Sequence, residues 1–147
     1  MRTSATDPAN EVQIQVVSDL HLELLPRFPH WHGIPSNPRA DLLVMAGDIG
    51  RLEDVVRLFG SHEIPTLFCL GNHEYYHRSM DSLRAYARQI TESTSIVLLD
   101  NNQVGPEELS RFKAWFGPRQ RRLEGLRILG GTLWTDYAFS ETSGGQD

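Results

Sequence analysis

Cysteine is nearly absent from this sequence. Of the 147 residues one is a cysteine, Cys69. A single cysteine excludes an internal disulfide and a zinc cluster built on thiolates. It is also typical of a protein that works in a reducing compartment, so we expect a cytoplasmic location.

Long hydrophobic runs are missing as well. No stretch of 18 apolar residues occurs, which excludes a transmembrane helix, and the polar opening MRTSATDPANE lacks the apolar core of a secretory signal peptide. The hydrophobic fraction of 39% is nevertheless ordinary for a globular protein, so wholesale disorder is excluded too. The length suits one domain, which we expect over 11–139, with a disordered N-terminus at 1–10 and a polar tail at 140–147.

The sequence contains fewer basic residues than acidic ones. Fourteen basic residues face 19 acidic ones, which gives a formal net charge of −5 at pH 7. Such a charge argues against nucleic acid as a partner. Six of the basic residues nevertheless fall within 107–127, beside three acidic ones. That segment could meet a phosphate or an acidic partner, or it could be a solvated connection.

Short apolar runs alternate with helical patterns along the chain. The predicted strands are 12–17, 42–46, 66–70 and 95–99, and the predicted helices are 51–59 and 75–91. Weaker patterns add a short helix near 107–115 and two short strands at 126–129 and 132–137. Strands that alternate with helices predict βαβ units, and hence an α/β fold with a parallel sheet.

Polar residues directly follow the first three predicted strands. Asp19 and His21 follow the first strand, Asp48 follows the second, and Asn72 and His73 follow the third. In open α/β sheets, ligands bind at the carboxyl ends of the strands. We therefore expect these side chains to meet at one rim of the sheet, and this shared position is stronger evidence than any single short motif.

The residue types at this rim suit a metal site. Asp19 and His21 are two residues apart, so an extended backbone would point both to the same side. Carboxylate and imidazole ligands suit Mn, Fe or Zn. Asp48 has two oxygens and could bridge two cations, and the amide oxygen of Asn72 could bind the second one. His73 would then point elsewhere and remain available for proton transfer.

Three motifs, taken in this order, resemble the calcineurin-like metallophosphoesterases. They are Asp19-Leu20-His21, Gly47-Asp48-Ile49-Gly50 and Gly71-Asn72-His73-Glu74. Each motif alone is weak, but three in order, each at a strand end, are specific. The segment GGTLWTDY at 130–137 also looks like the family's next strand, so the resemblance covers about residues 12–137.

The resemblance implies a four-layer αββα sandwich and a dinuclear metal centre that hydrolyses phosphomonoesters or phosphodiesters. Asp19 and His21 would hold the first metal, and Asp48 would bridge both. Asn72 would bind the second, and His73 would act as general acid or steady the leaving oxygen. A metal-bridging hydroxide would be the nucleophile.

The expected cofactors are therefore two divalent ions, Mn, Fe or Zn, and the expected partner is a phosphoester substrate. Arg51 and His77 are candidate substrate-binding residues. His77 lies one helical turn beyond His73 if the segment is helical, so it could line the same cleft.

The family's two downstream motifs, a lone histidine after a strand and a Gly-His-x-His, are absent here. The last of the six histidines is His77, and residues 78–147 contain none. We therefore expect this chain to be the N-terminal part of such a protein. The 11–139 domain would be partial, the second half of the sandwich would be missing, and catalysis would be impaired.

Two alternative functions stay open. The run from His73 to His77 matches H-E-x-x-H, the signature of zinc metalloproteases, which places both histidines on one helix face with Glu74 as the base. That interpretation leaves Asp19 and Asp48 unexplained. In the phosphoesterase interpretation, Glu74 is expected to favour a helix N-terminus through the helix dipole. The other alternative is a non-catalytic fragment that acts as a binding module.

Overall fold

The computed structural model of the chain describes residues 11–27, 30, 33–34, 37–110, 112 and 122–134. The expectations for the N-terminus at 1–10 and the tail at 140–147 fall outside the described residues. The same holds for residues 135–137 of the last predicted strand.

A parallel sheet of four strands forms the centre of the structure. The strands are β1 (Ile14–Val17), β2 (Leu42–Ala46), β3 (Thr66–Cys69) and β4 (Ile96–Leu99), and they lie side by side in that order. One row across the sheet pairs Val16 with Val44, Val44 with Leu67, and Leu67 with Val97. The four strands were predicted to within two residues at each end. The predicted α/β fold with a parallel sheet is thus confirmed.

Helices connect the strands. They are α1 (Leu52–Phe59), α2 (Met80–Thr91) and α3 (Pro106–Leu109), with two 3-10 helices at Leu22–Arg27 and His73–Tyr75. The predicted helix at 75–91 is too long, because His77 has a left-handed backbone with φ of 65° and interrupts it. The helix α2 starts afresh after Ser79, whose hydroxyl accepts a hydrogen bond from the backbone of Ser82. Within the described residues, no helix is long and apolar enough to cross a membrane.

A second, antiparallel pair of strands lies beyond β4. It consists of β5 (Asn102–Val104) and β6 (Ile128–Gly130). The sequence did not predict β5, because its first two residues are polar and exposed and only Val104 is buried. The strand predicted at 126–129 is shifted to Ile128–Gly130, and residues 132–134 do not form one. The four-layer sandwich and its missing half stay predictions.

Alternate residues of the parallel sheet supply two hydrophobic clusters, one on each face. Residues such as Met45 and Phe68 pack with α1 and α2 in the first cluster. Strand residues that point to the opposite face, including Leu42 and Leu67, form the second cluster with Val104 of β5 and with α3. Because β2, β3 and β4 are buried on both faces, their sequences are continuous apolar runs and do not alternate between apolar and polar residues.

A buried ion pair ties the second face to the later part of the chain. Asp41, which is fully buried, precedes β2. Nε of Arg122 donates to one Asp41 carboxylate oxygen at 3.0 Å, Nη2 donates to the other, and the backbone of Gln13 adds a third donor at 3.0 Å. The Asp41 carboxylate raises the pKa of Arg122. One basic residue of 107–127 thus has an internal partner.

We predict that Arg122→Ala lowers the free energy of unfolding by about 3 kcal/mol, because it leaves the buried Asp41 carboxylate without its countercharge. Urea denaturation followed by circular dichroism measures this change. The matched control is Arg127→Ala, which removes an exposed arginine from the same segment and should change stability by less than about 0.5 kcal/mol. Equal effects of the two variants would contradict the structural role of the ion pair.

Candidate metal centre

The loops that follow β1 and β2 are joined by backbone hydrogen bonds at the carboxyl ends of the strands. The backbone N–H of Asp19 donates to the carbonyl of Gly47 at 3.1 Å, and that of His21 donates to the carbonyl of Asp48 at 3.1 Å. The N–H of Leu22 continues the series to Ile49 at 2.9 Å. The first two polar clusters of the sequence are therefore held side by side.

The side chain of Glu74 joins the loop after β3, called the third loop below, to the loop after β2, called the second loop. Its side chain is buried, and one carboxylate oxygen accepts hydrogen bonds from the N–H groups of Ile49 at 2.7 Å and Gly50 at 3.0 Å. The other oxygen accepts from Asp48 at 3.1 Å and Gly71 at 2.6 Å. We expected Glu74 to favour a helix N-terminus, but the 3-10 helix that carries it is a single turn. The carboxylate instead bonds to the backbone of two loops.

Gly71 allows the third loop to approach Asp48 closely. A β-carbon at this position would overlap the side-chain and backbone atoms of Asp48. With glycine there, the Asp48 carboxylate accepts a hydrogen bond from the backbone N–H of His73 at 2.9 Å. The Asp48 side chain is therefore fixed by the loop that carries Asn72 and His73.

Three of the predicted ligands have left-handed backbones. The φ angles are 55° for Asp19, 46° for His21 and 53° for Asp48. The expectation that an extended backbone aligns Asp19 with His21 is therefore wrong, because the chain turns at both residues. One side-chain ligand atom from each of the three nevertheless lies within 4.8 Å of the others. Backbone strain of this kind is concentrated at functional sites, where the surrounding structure enforces it.

A second group of potential ligands shares His21 and includes a residue that the sequence did not single out. His21, Glu23 and His73 offer ligand atoms within 4.8 Å of one another. The rings of His21 and His73 are 4.5 Å apart between centroids. We expected His73 to point away from the metal ligands, but its ring lies against one of them. The spacing of two residues between His21 and Glu23, equal to that between Asp19 and His21, was the available signal.

Asn72 lies at the tip of the third loop beside His73. Its side chain is exposed, and the amide nitrogen donates to the hydroxyl of Tyr76 at 3.2 Å. The amide oxygen of Asn72 is the atom that the family resemblance implies as a ligand to a second metal.

A cleft of about 280 Å³ adjoins these groups. Glu23 and His73 belong to both the cleft and the second ligand group, and the two candidate substrate-binding residues, Arg51 and His77, line the same cleft. The structure therefore places both candidates beside the potential ligands, although His77 reaches the cleft from a strained turn rather than from a helix.

The segment that matches H-E-x-x-H does not form the helix which a zinc protease requires. His73 lies in a 3-10 helix, and His77 lies outside any helix, before α2 begins at Met80. The carboxylate of Glu74 is occupied by backbone N–H groups, so it does not have the free oxygen of a general base.

The parallel sheet and the carboxylate and imidazole groups at its carboxyl ends define an α/β protein with a candidate metal-binding rim. The family model for calcineurin-like phosphoesterases matches residues 12–127, which is most of the chain. The chain belongs to the calcineurin-like phosphoesterase family, as its motifs predicted. Comparisons with curated proteins and with solved structures gave no significant match.

We predict that Glu74→Gln destabilises the rim. The amide nitrogen of glutamine replaces an oxygen that accepts two backbone hydrogen bonds, so two buried donors lose their partner. A loss of about 2–4 kcal/mol of unfolding free energy is expected. Chemical denaturation measures it, and Glu63→Gln, at an exposed loop position, is the control. If both variants are equally stable, Glu74 does not hold the loops together.

Proposed function

We propose that this chain is a metal-dependent phosphoester hydrolase with a dinuclear centre at Asp19, His21, Asp48 and Asn72. The observation that carries the proposal is the convergence of Asp19, His21 and Asp48 within 4.8 Å at the carboxyl ends of a parallel sheet. Membership of the calcineurin-like phosphoesterase family supports the reaction class.

The residues at the rim fit divalent transition metals. Carboxylates with imidazole form a donor set that suits Mn, Fe and Zn. The hydrogen bond from the His73 backbone orients the Asp48 carboxylate and uses one lone pair of one oxygen. Both oxygens therefore keep lone pairs for the ions that the proposed bridge would join. When bound, such ions supply Lewis-acid activation of the phosphoester and of a water molecule.

His73 is proposed as the general acid, or as the group that steadies the leaving oxygen. Its ring is partly exposed, with a relative side-chain accessibility of 37%, and it lines the cleft where a substrate would enter. The backbone of the residue is anchored to Asp48, so the ring is presented at a fixed place beside the proposed ligands. A ring nitrogen there can donate a proton to the departing oxygen.

Arg51 and His77 are proposed to bind the substrate phosphate or its leaving group. Arg51 is exposed at the cleft and makes no ion pair within the described part of the chain. Arg78 in the same cleft is different, because it pairs with Glu53 at 3.3 Å. An unpaired guanidinium offers planar donors that match phosphate oxygens.

The reaction is tested with a phosphomonoester and a phosphodiester of p-nitrophenol, each with Mn²⁺, Fe²⁺ or Zn²⁺ and after chelation. We expect slow, metal-dependent release of p-nitrophenol from at least one substrate, because residues 78–147 supply no histidine for the second ion. A chain that binds metal and hydrolyses neither compound would reject the proposed reaction on these substrates. Metal binding itself is measured separately, on wild type beside Asp19→Ala, and an unchanged metal content in that variant would reject the proposed centre.

We predict that Asp48→Asn weakens binding of both metals by at least about tenfold, because the bridging carboxylate loses a charge and an oxygen. The asparagine oxygen can still accept the His73 backbone hydrogen bond, so the fold should persist. Isothermal titration with Mn²⁺ and Zn²⁺ measures the affinities. Asp54→Asn in α1, where the carboxylate pairs with Arg57, is the control and should bind metal normally. Unchanged affinity in Asp48→Asn would remove the bridging role.

We predict that His73→Ala leaves the metal content intact and lowers kcat by about 10²–10⁴-fold, as expected for loss of a general acid. Metal analysis and steady-state kinetics on the faster of the two substrates separate the two effects. His62→Ala, which removes an exposed histidine after α1, is the matched control. A large loss of bound metal in His73→Ala would show that this residue is a ligand instead.

A further inference from the structure

We propose that Glu23 is a positioning residue that fixes the ring tautomer and orientation of His21 and helps to hold the ring of His73 beside it. The proposal deepens the proposed function, since it concerns a ligand and the general acid of the same centre. None of the sequence motifs above assigns a role to Glu23.

One carboxylate oxygen of Glu23 faces the same ring nitrogen of both histidines. It lies 3.2 Å from Nδ1 of His21 and 3.9 Å from Nδ1 of His73. The first distance is that of a hydrogen bond. The second is too long for one but within range of an ion pair, and catalytic hydrogen bonds often shorten when substrate binds.

An ionised carboxylate can only accept hydrogen bonds, so it selects the imidazole tautomer that carries its hydrogen on Nδ1. The other nitrogen of the His21 ring, Nε2, then keeps its lone pair. At His21 this is the atom that can bind a metal, and ligand histidines characteristically donate their remaining N–H to a carboxylate in this way. At His73 the same contact would hold the ring beside the centre.

The local fold keeps Glu23 at this place. The 3-10 helix at Leu22–Arg27 begins directly after His21, and the backbone of Leu22 is bonded to that of Ile49. Gly50 lets this turn approach, because a β-carbon there would lie 2.7 Å from Cβ of Leu22 and 3.2 Å from the second carboxylate oxygen of Glu23. That second oxygen is buried without a hydrogen-bond partner among the described atoms. Such burial costs free energy, so packing alone does not explain a glutamate here.

A direct role of Glu23 as a metal ligand is the competing explanation, because the three donor atoms lie close enough to surround one ion. The two potential ligand groups share His21, and this argues against Glu23 as a ligand. A neutral imidazole offers one lone pair, and the group formed with Asp19 and Asp48 also requires it. With Glu23 as hydrogen-bond acceptor, the lone pair of His21 stays available to that group.

The test is long-range ¹H–¹⁵N NMR of the histidine rings in the full chain without metal, where His21→Ala and His73→Ala assign the two signals. In wild type we expect the Nδ1–H tautomer at His21. In Glu23→Ala the His21 ring should move toward the mixture seen for free histidine, with the four histidines other than His21 and His73 unchanged. Glu23→Leu, which keeps more of the side-chain volume, should do the same if the alanine variant is unstable.

The matched control is Glu53→Ala, which removes a carboxylate from the same cleft. Glu53 accepts hydrogen bonds from Tyr86 at 2.8 Å and Arg78 at 3.3 Å rather than from either histidine. It should leave the His21 tautomer unchanged. The proposal is overturned if Glu23→Ala and Glu23→Leu keep the wild-type tautomer of His21, or if Glu53→Ala shifts it equally.

Titration with Mn²⁺ and Zn²⁺ supplies a second readout. For a positioning residue, Glu23→Ala should weaken binding about 10–100-fold with the number of bound ions unchanged. Loss of one ion from the count would show that Glu23 is a ligand and would overturn the proposal. Because the tautomers are read without metal, a failure of the proposed metal centre in wild type would be seen separately.

Discussion

The rim of this sheet depends on one buried carboxylate. Glu74 accepts hydrogen bonds from four backbone N–H groups, three in the loop after β2 and one in the loop after β3. A charged acceptor makes each of these bonds stronger than a neutral one would. Without it, the loops that carry Asp48 and His73 would have unsatisfied donors at the point where they pack closest.

These hydrogen bonds to Glu74 help to explain how the site keeps residues with a strained, left-handed backbone. Left-handed backbone at Asp19, His21 and Asp48 is unfavourable for residues with a β-carbon. The backbone hydrogen bonds between the first two loops offset that cost, and the carboxylate of Glu74 holds the second loop in place. The strain then serves the site, because each turn aims a carboxylate or an imidazole toward the same point.

The cleft next to the candidate ligands carries charged residues of both signs. Arg51 and Arg78 line it together with Glu23, Glu53 and Glu74. Arg122, from the segment that looked like a basic patch, is instead the internal partner of Asp41. Arg51 in the cleft, by contrast, makes no ion pair within the described residues, which suits the proposed anionic substrate.

The sequence by itself determined the sheet and the list of candidate ligands. Continuous apolar runs define β2, β3 and β4 because those strands are buried on both faces, and the polar residues after them must then meet at one rim. It could not reveal β5, whose polar residues lack any periodic signal, or the turn at His77 that ends the predicted helix early. Only the tertiary structure decided the roles of Glu74 and the position of Glu23. Glu74 bonds to a loop that is distant in sequence, and Glu23 lies near His73 of another loop. The spacing of Glu23 from His21 was a local signal, but contacts between loops leave no local pattern.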